Sequence, residues 1–228
     1  MLKVTVIIPV YNEEKYVAAV WQRLQALAWP EWEKEIIFVD DGSSDHTAEV
    51  LKSLSIAGRV ITHARNRGKG AAIKTGLAAA RGEIIAIQDA DLEYDPADLA
   101  ALIAPIVRGE ADVVYGSRMT GHNAIGHWRY YFGNKLISVL ASWLYGAKLS
   151  DVETGYKVFR RALAAGLELK SDDFGIEAEL TAKFLKSQCQ IIELPISYRP
   201  RRFSEGKKIR GRDGWQAIWL LIKLRFLS

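Results

Sequence analysis

Over its first 118 residues the chain alternates short apolar, β-branched runs with helix-like segments, a rhythm that few folds accommodate. The runs are VTVIIPV (4–10), EIIFVD (35–40), RVITHA (59–64), EIIAIQD (83–89) and DVVYGS (112–117). Between them lie EEKYVAAVWQRLQALA, SDHTAEVLKSL, KGAAIKTGLAAARG and DPADLAALIAPIVRG. Strands separated by helix-length segments predict an α/β fold with a mostly parallel sheet, because a parallel neighbour needs a crossover long enough to hold a helix. The runs are apolar nearly throughout rather than at every second position, so helices are expected over both faces.

Ligands of such sheets bind beyond the carboxyl ends of the strands. That rule sets residues 9–13, 40–44, 66–70 and 89–93 along one rim, where the polar clusters of this half fall. In EIIAIQDADLEYDP (83–96) a buried strand delivers two like charges, Asp89 and Asp91, to one place. Their repulsion must be offset by a cation, and Mg²⁺ or Mn²⁺, which prefer oxygen and also hold substrate phosphates, fit. Helix capping is the plainer use for an aspartate here, but Asp95 before Pro96 already fills that position. Asp40 and Asp41 end the second strand in VDDGSSDHT. Gly42 suits a turn and Ser43, Ser44 and Asp45 suit a cap, which leaves the two acids for the hydroxyls or base N–H of a nucleoside. NRGKGAAIKTG, which contains Lys69, then supplies a turn and a helix N-terminus whose exposed N–H groups favour negative charge. It lacks the spacing of either common Gly-rich phosphate motif.

The second half reads as a Leu- and aromatic-rich helix at about 128–147, the segment SDVETGYKVFRRALAAG, a helix at about 175–187 and a strand IIELPISY (191–198). No linker or low-complexity tract divides the halves, and 228 residues, 49% of them hydrophobic, suit one domain whose successive parts are 1–118, 119–212 and 213–228. The single cysteine, Cys189, excludes an internal disulfide and a cysteine-based metal cluster and suits a reducing cytosol. The N-terminal MLKVTVIIPVYNEE turns acidic too soon for a secretion signal and reads as the first strand. Residues 199–228 carry nine basic side chains against Glu205 and Asp213, a local charge of +7 within a net +4. Such a basic end suits phosphate groups or a membrane surface, or is simply a solvated face. No nucleic-acid-binding motif accompanies it, so DNA and RNA are not expected partners.

The motifs VIIPVYNEE, FVDDGSSD, NRGKGAA, QDADLEYDP and YGSR stand in the order and spacing that resemble the family 2 glycosyltransferases. SDVETGYKVFR, FGIEAEL and ELPISYRPRRFSEGKKI extend the likeness toward the dolichyl-phosphate mannose synthase and polyprenyl-phosphate glycosyltransferase branch, over residues 3–215. The resemblance implies a GT-A fold, Rossmann-like, with amphipathic helices at the C-terminal end. It also implies metal-dependent, inverting transfer of a hexose from a nucleotide sugar to a lipid monophosphate. GDP-mannose and UDP-glucose are the leading donors, with a UDP-N-acetylhexosamine as a third. Pro9, Tyr11, Glu13 and Asp40 match the positions that hold the nucleoside, with Asp41, Lys69 and Ala90 beside them in the donor site. Asp89 and Asp91 match the metal-binding D-x-D, and Glu93, where this branch often has Gln, is an acid able to join them. Ser117, Arg118 and Arg129 fall at the acceptor phosphate, while Arg201 and Lys207 align with a late basic motif that closes over the phosphates. Asp151, Thr154 and Gly155, with Lys157, belong to a loop that abuts the donor sugar, although a surface turn also accounts for Lys157. Glu177 is expected to face the pocket and Glu179, two residues on, to point elsewhere.

A phosphate monoester has a second pKa of about 6, so a lipid phosphate is already a dianionic nucleophile at neutral pH. Catalysis then reduces to positioning and to stabilising the leaving diphosphate, with Asp89, Asp91, Arg118 and Arg201 as the expected catalytic set. A polyprenyl acceptor keeps its tail in the bilayer, so the enzyme is expected as a peripheral protein on the cytoplasmic, inner face of a membrane. WRYYFGNKLISVLASWLYGAKL and DGWQAIWLLIKLRFLS carry aromatics and basic groups suited to the headgroup level, or else face the core. The uncharged run 136–147 is too short to span, which takes roughly 20 residues. Relatives of this branch often continue into membrane-spanning helices, so a chain that stops at Ser228 is either peripheral or a piece of a longer one. Two other readings stay open. Transfer to a sugar hydroxyl would require a carboxylate base, for which Asp151, Asp172 and Asp173 are candidates, and a non-catalytic nucleotide-sugar or lipid-binding protein would not need the full charged set.

Overall fold

A computed structural model describes residues 1–29, 31–54, 59–121, 123, 128–201, 208 and 211–227, without the side chains of residues 129 and 130. Strand β1 (Leu2–Val10) is followed by α1 (Val17–Ala26), β2 (Trp32–Asp40), α2 (Thr47–Ser53), β3 (Arg59–Thr62), α3 (Lys69–Ala79) and β4 (Ile84–Ile87). A short 3₁₀ turn at Pro96–Asp98, capped by the Asp95 side chain through Ala97 N–H, leads into α4 (Leu99–Val107) and β5 (Val113–Ser117). Then come α5 (Trp128–Tyr145), β6 (Lys157–Arg160), α6 (Arg161–Ala165), α7 (Ile176–Lys186), β7 (Ile191–Pro195) and α8 (Gly211–Phe226).

The seven strands form one sheet in the order β3-β2-β1-β4-β6-β5-β7. All the pairings are parallel except those of β6, which runs antiparallel to both β4 and β5. The sheet is therefore mixed where the sequence pattern predicts strands only up to β5 before the last one. KVFR is short and begins on a charged residue, and it becomes a strand because β4 and β5 leave a gap between them that it fills. The final strand is also shorter than IIELPISY, ending at Pro195, with only an isolated bridge from Tyr198 to Tyr94 beyond it.

The apolar runs are explained by a core on each face. Val4, Val6, Ile8 and Val10 of β1 pack with Val20, Trp21 and Leu24 of α1 and with Leu99, Leu102 and Ile106 of α4. Ile7 points the other way, joining Ile37 and Val39 of β2, Ile73 of α3 and Leu180 and Phe184 of α7. A third cluster, built on Ile137, Ala141, Ala178, Ala182, Ala217 and Leu221, binds α5, α7 and α8 together. Because β2 lies on one side of β1 and β4 on the other, the connections diverge at β1, and the crevice beyond the carboxyl ends of β1, β2 and β4 is where a ligand is expected.

Candidate active site

A cavity of about 1800 Å³ opens at that crevice. At one end lie the acids carried by the strand ends. Asp89 and Asp91 follow β4 and line the cavity, and each carries a cation: Lys69 Nζ sits 2.7 Å from Asp89 and Arg201 Nη2 sits 2.8 Å from Asp91. Burial, then the neighbouring Asp89 charge, push the Asp91 carboxyl upward, against the pull of Arg201. Arg201 is shared further, with Glu13 Oε2 at 2.9 Å and Glu93 Oε1 at 3.6 Å, and its guanidinium lies over the Tyr16 ring. Against the cost of burial, Asp91 and Glu13 hold its pKa above the ordinary range.

Two oxygen-rich carboxylates, each matched to a positive group, form a locus suited to a hard divalent ion that takes its remaining ligands from water and phosphate. Glu93 does not complete a triad there. Its oxygens accept from Arg201 N–H at 3.0 Å and Tyr198 O–H at 2.7 Å, and among the described residues no three His, Cys, Asp or Glu side chains gather as a metal site.

Lys69 continues a row of alternating charges into the protein. Its ammonium lies 2.9 Å from Glu177, whose other oxygen lies 2.6 Å from Lys157. Lys157 is fully buried, donating to the Val152 and Thr154 carbonyls and lying over the Tyr115 ring, so its place on a strand is satisfied electrostatically and it is no surface turn. Glu177 lines the cavity, whereas Glu179 turns away to accept from the Lys170 and Ser171 amides. Lys157 and Lys69 hold the Glu177 carboxyl below its usual range against the effect of burial.

A second Arg–Asp pair stands beside the cavity. Asp151 is fully buried and accepts from Arg118 backbone N–H (2.8 Å), Nε (2.8 Å) and Nη2 (2.6 Å) and from Asn134 Nδ2 (2.7 Å). Despite burial, Arg118 holds its carboxyl below the usual range, so it is fitted to orient Arg118 and poorly fitted to accept a proton. Arg118 itself lines the cavity, over the Tyr198 ring.

Several expected residues are spent on structure. Asp41 lines the cavity, but its oxygens accept from His63 Nδ1 and from the Arg67 and Gly68 amides, pinning the 66–68 turn. Asp40 is buried with Oδ1 on Ser43 N–H, leaving Oδ2 without a hydrogen-bond partner. Ser117 is fully buried and shares its hydroxyl with Ser150 and the Met119 amide. Thr154 points its hydroxyl at the Gly116 carbonyl. The α3 N-terminus is not the open anion site its sequence suggests: Ala71 N–H donates to the Asp172 carbonyl, and a Cβ on Gly68 would meet that same oxygen at 2.3 Å. Pro9, Tyr11 and Ala90 line the cavity beside Glu13. The Arg129 side chain and Lys207 lie outside the described residues. Lys208, whose place the sequence does not show, lies 2.6 Å from Glu13 and over the Tyr11 ring.

Gly155 is placed by necessity, since a Cβ there would meet Asp89 Oδ2 at 2.1 Å. The 151–155 loop therefore runs directly against the acid end. Of the three suggested bases, Asp151 is locked to Arg118, Asp172 pairs with Lys74 at 2.6 Å, and Asp173 accepts from Gly175 N–H and Gln216 Nε2. A further carboxyl, Glu153 of the 151–155 loop, lines the cavity, and burial pushes it up to about 7.

Comparison with known proteins adds the family. The model for glycosyl transferase family 2 matches residues 5–167. A dolichol-phosphate mannosyltransferase of Pyrococcus furiosus is 30% identical, covering 98% of this chain, which spans 64% of that protein's length. A UDP-N-acetylglucosamine–dolichyl-phosphate N-acetylglucosaminyltransferase of Methanococcus voltae is also 30% identical, with coverage of 96% of this chain and 94% of the relative. Among solved structures, glucosyl-3-phosphoglycerate synthase of Mycobacterium tuberculosis, in complex with Mn²⁺, UDP and glucosyl-3-phosphoglycerate, superposes with a TM-score of 0.77 at 22% identity, over 100% of this chain and 81% of that one. The shared architecture is the GT-A fold.

Proposed function

The chain belongs to glycosyl transferase family 2, and on that footing we propose that it transfers a hexose from a nucleoside diphosphate to a polyprenyl or dolichyl phosphate at a membrane surface. What supports the reading is one cavity that runs from the Asp89–Asp91 end to helices that face outward with aromatics. Trp128 and Tyr131 of α5 and Arg212 and Gly214 of α8 line it. On the same two helices Trp128, Phe132, Leu136, Val139 and Trp143, at helical spacing, and Trp215, Trp219 and Phe226 are each more than half exposed. Exposed apolar side chains on these two helices suit the interface of a bilayer, with α8 lying along it, and the basic stretch from residue 199 on suits anionic lipids of the cytoplasmic leaflet. Among the described residues no helix is long and apolar enough to cross a membrane.

In this scheme the nucleoside lies over Pro9 and Tyr11 and the diphosphate over Asp89 and Asp91. Mg²⁺ or Mn²⁺ held by these two carboxylates would stabilise the charge that develops on the leaving diphosphate. Among the described residues Arg201, Lys208 and Lys69 are the cations bonded to the acids of that locus, able to turn from them to phosphate oxygens. Asp151 fixes two guanidinium nitrogens of Arg118, and the edge left over is directed to the acceptor phosphate. The dianionic phosphate attacks the anomeric carbon from the face opposite the leaving group, and the configuration inverts. No base is needed.

A radiolabel transfer assay tests this, with GDP-mannose, UDP-glucose and UDP-N-acetylglucosamine each offered with a polyprenyl phosphate in detergent and Mg²⁺ or Mn²⁺. Metal-dependent label in the lipid fraction from one donor, absent in Asp91→Ala, is the expected result. Binding of a donor without lipid labelling would remove the lipid acceptor from the reading.

A further inference from the structure

Glu153 lines the cavity and is a carboxyl that the scheme above leaves without work. Asp89, Asp91 and Glu177 carry cations, Asp151 holds Arg118, and Asp173 is bonded within its own loop and to Gln216. Glu153 by contrast has a buried Oε1 with no hydrogen-bond partner among the described residues, while its backbone N–H donates to Asn134 Oδ1 at 3.4 Å. A buried acceptor left unmet is costly and calls for an explanation. Two residues back along the loop, Asp151 holds Arg118, the cation assigned to the acceptor phosphate. Two residues along the loop, Gly155 is pressed against Asp89. Glu153 therefore flanks the space between the leaving and the attacking phosphates, which is the space that the transferred sugar must fill.

We infer that the Glu153 carboxyl accepts a hydrogen bond from a hydroxyl of the transferred hexose and so decides which hexose the protein takes. The inference rests on the proposed nucleotide-sugar reading and deepens it. A proton-accepting role is the weaker use of this group, because a phosphate acceptor brings no proton that must be removed. A site whose buried polar group is made for one hydroxyl rejects the analogue that lacks it, because the group is then stranded.

The test compares the wild type with Glu153→Leu and Glu153→Gln on the preferred nucleotide sugar and on its 2-, 3-, 4- and 6-deoxy analogues. Donor affinity is read by calorimetry and transfer by kcat/KM, with the nucleoside diphosphate alone as the control ligand. The expected result is a loss of about 10- to 100-fold for Glu153→Leu on the parent sugar. For one deoxy analogue the wild type and Glu153→Leu should be equal, and binding of the bare diphosphate should not change. Glu153→Gln, which keeps the shape and one acceptor oxygen, should retain folding and show an intermediate loss confined to the same hydroxyl. Equal losses on every analogue would overturn the inference, as would Glu153→Gln losing turnover with donor affinity intact. Overturning would also follow if the wild type bound the nucleotide sugars no more tightly than the diphosphate. A wild type that discriminates among hexoses but labels no lipid phosphate would break the acceptor reading and leave this one standing.

Discussion

Two Arg–Asp pairs stand at the cavity, on either side of Tyr198, and they are built differently. Asp151 is fully buried and meets Arg118 three times, with Asn134 adding a fourth donor. Asp91 meets Arg201 once, and Arg201 divides itself among Asp91, Glu13 and Glu93 while its Nε is buried without a hydrogen bond. The first arrangement is a fixed support, because no other geometry satisfies so many donors. The second has the features of a placeholder: a cation balancing acids that would otherwise repel, able to leave when another cation and a diphosphate arrive.

The same substitution at the two aspartates should separate them most clearly. Asp151→Asn turns amide hydrogens toward two of the four donors that meet the carboxylate and leaves Arg118 buried without its countercharge. It is expected to cost about 3–5 kcal/mol of stability, read by chemical denaturation. Asp91→Asn should leave stability within about 1 kcal/mol of the wild type, because it also relieves repulsion from Asp89 and Glu93. Its effect should fall on transfer, which is expected to drop by about a hundredfold or more. Equal destabilisation by both would mean that the Arg201 pair is as structural as the Arg118 pair.

Glu153 adds a pH signature near the fixed pair. Its folded pKa of about 7 lies above that of an unfolded glutamate, so the native state binds the extra proton between the two values. Stability from this group is present at pH 4–5 and is lost as the pH rises through 7. The difference in unfolding free energy between Glu153→Gln and the wild type should therefore shift by about 1–2 kcal/mol in favour of the variant between pH 5 and pH 8. A difference that stays flat would mean that the carboxyl is ionised throughout.

The contrast between the two pairs also marks what could be read from the sequence. β1, β2 and β5 were legible because an apolar run covered on both faces has one explanation, and Asp89 and Asp91 because two acids ending such a run have few. β6 was hidden since KVFR is four residues long, opens on Lys157 and owes its strand form to β4 and β5, some 40 to 70 residues earlier in the chain. The buried charge of Lys157 is balanced by Glu177, on a helix the sequence could not set beside it. Hydroxyls misled for the same reason: Ser117 and Thr154 sit in motifs that line a site, yet their oxygens bond to neighbours inside the fold. Glu153 carried no signal at all, lying between Asp151 and Thr154 as an ordinary loop acid, and only its unmet oxygen in the folded chain sets it apart.

Arg201→Gln gives the smallest effect and the sharpest test of the placeholder. If Arg201 merely neutralises Asp91 and Glu13 until a ligand arrives, removing its charge should free the acids for a divalent ion even without nucleotide. Mn²⁺ binding to the nucleotide-free protein, followed by its paramagnetic resonance signal, should then tighten about tenfold, the worth of one charge-assisted hydrogen bond. Binding of the nucleoside diphosphate should weaken by a similar factor, because the group that turns to its phosphates is gone. The two changes in opposite directions distinguish exchange from damage, since a distorted site would lose both ligands together. Unchanged Mn²⁺ affinity would show that the guanidinium does not compete for the metal locus, and the Arg201 pair would then be no placeholder.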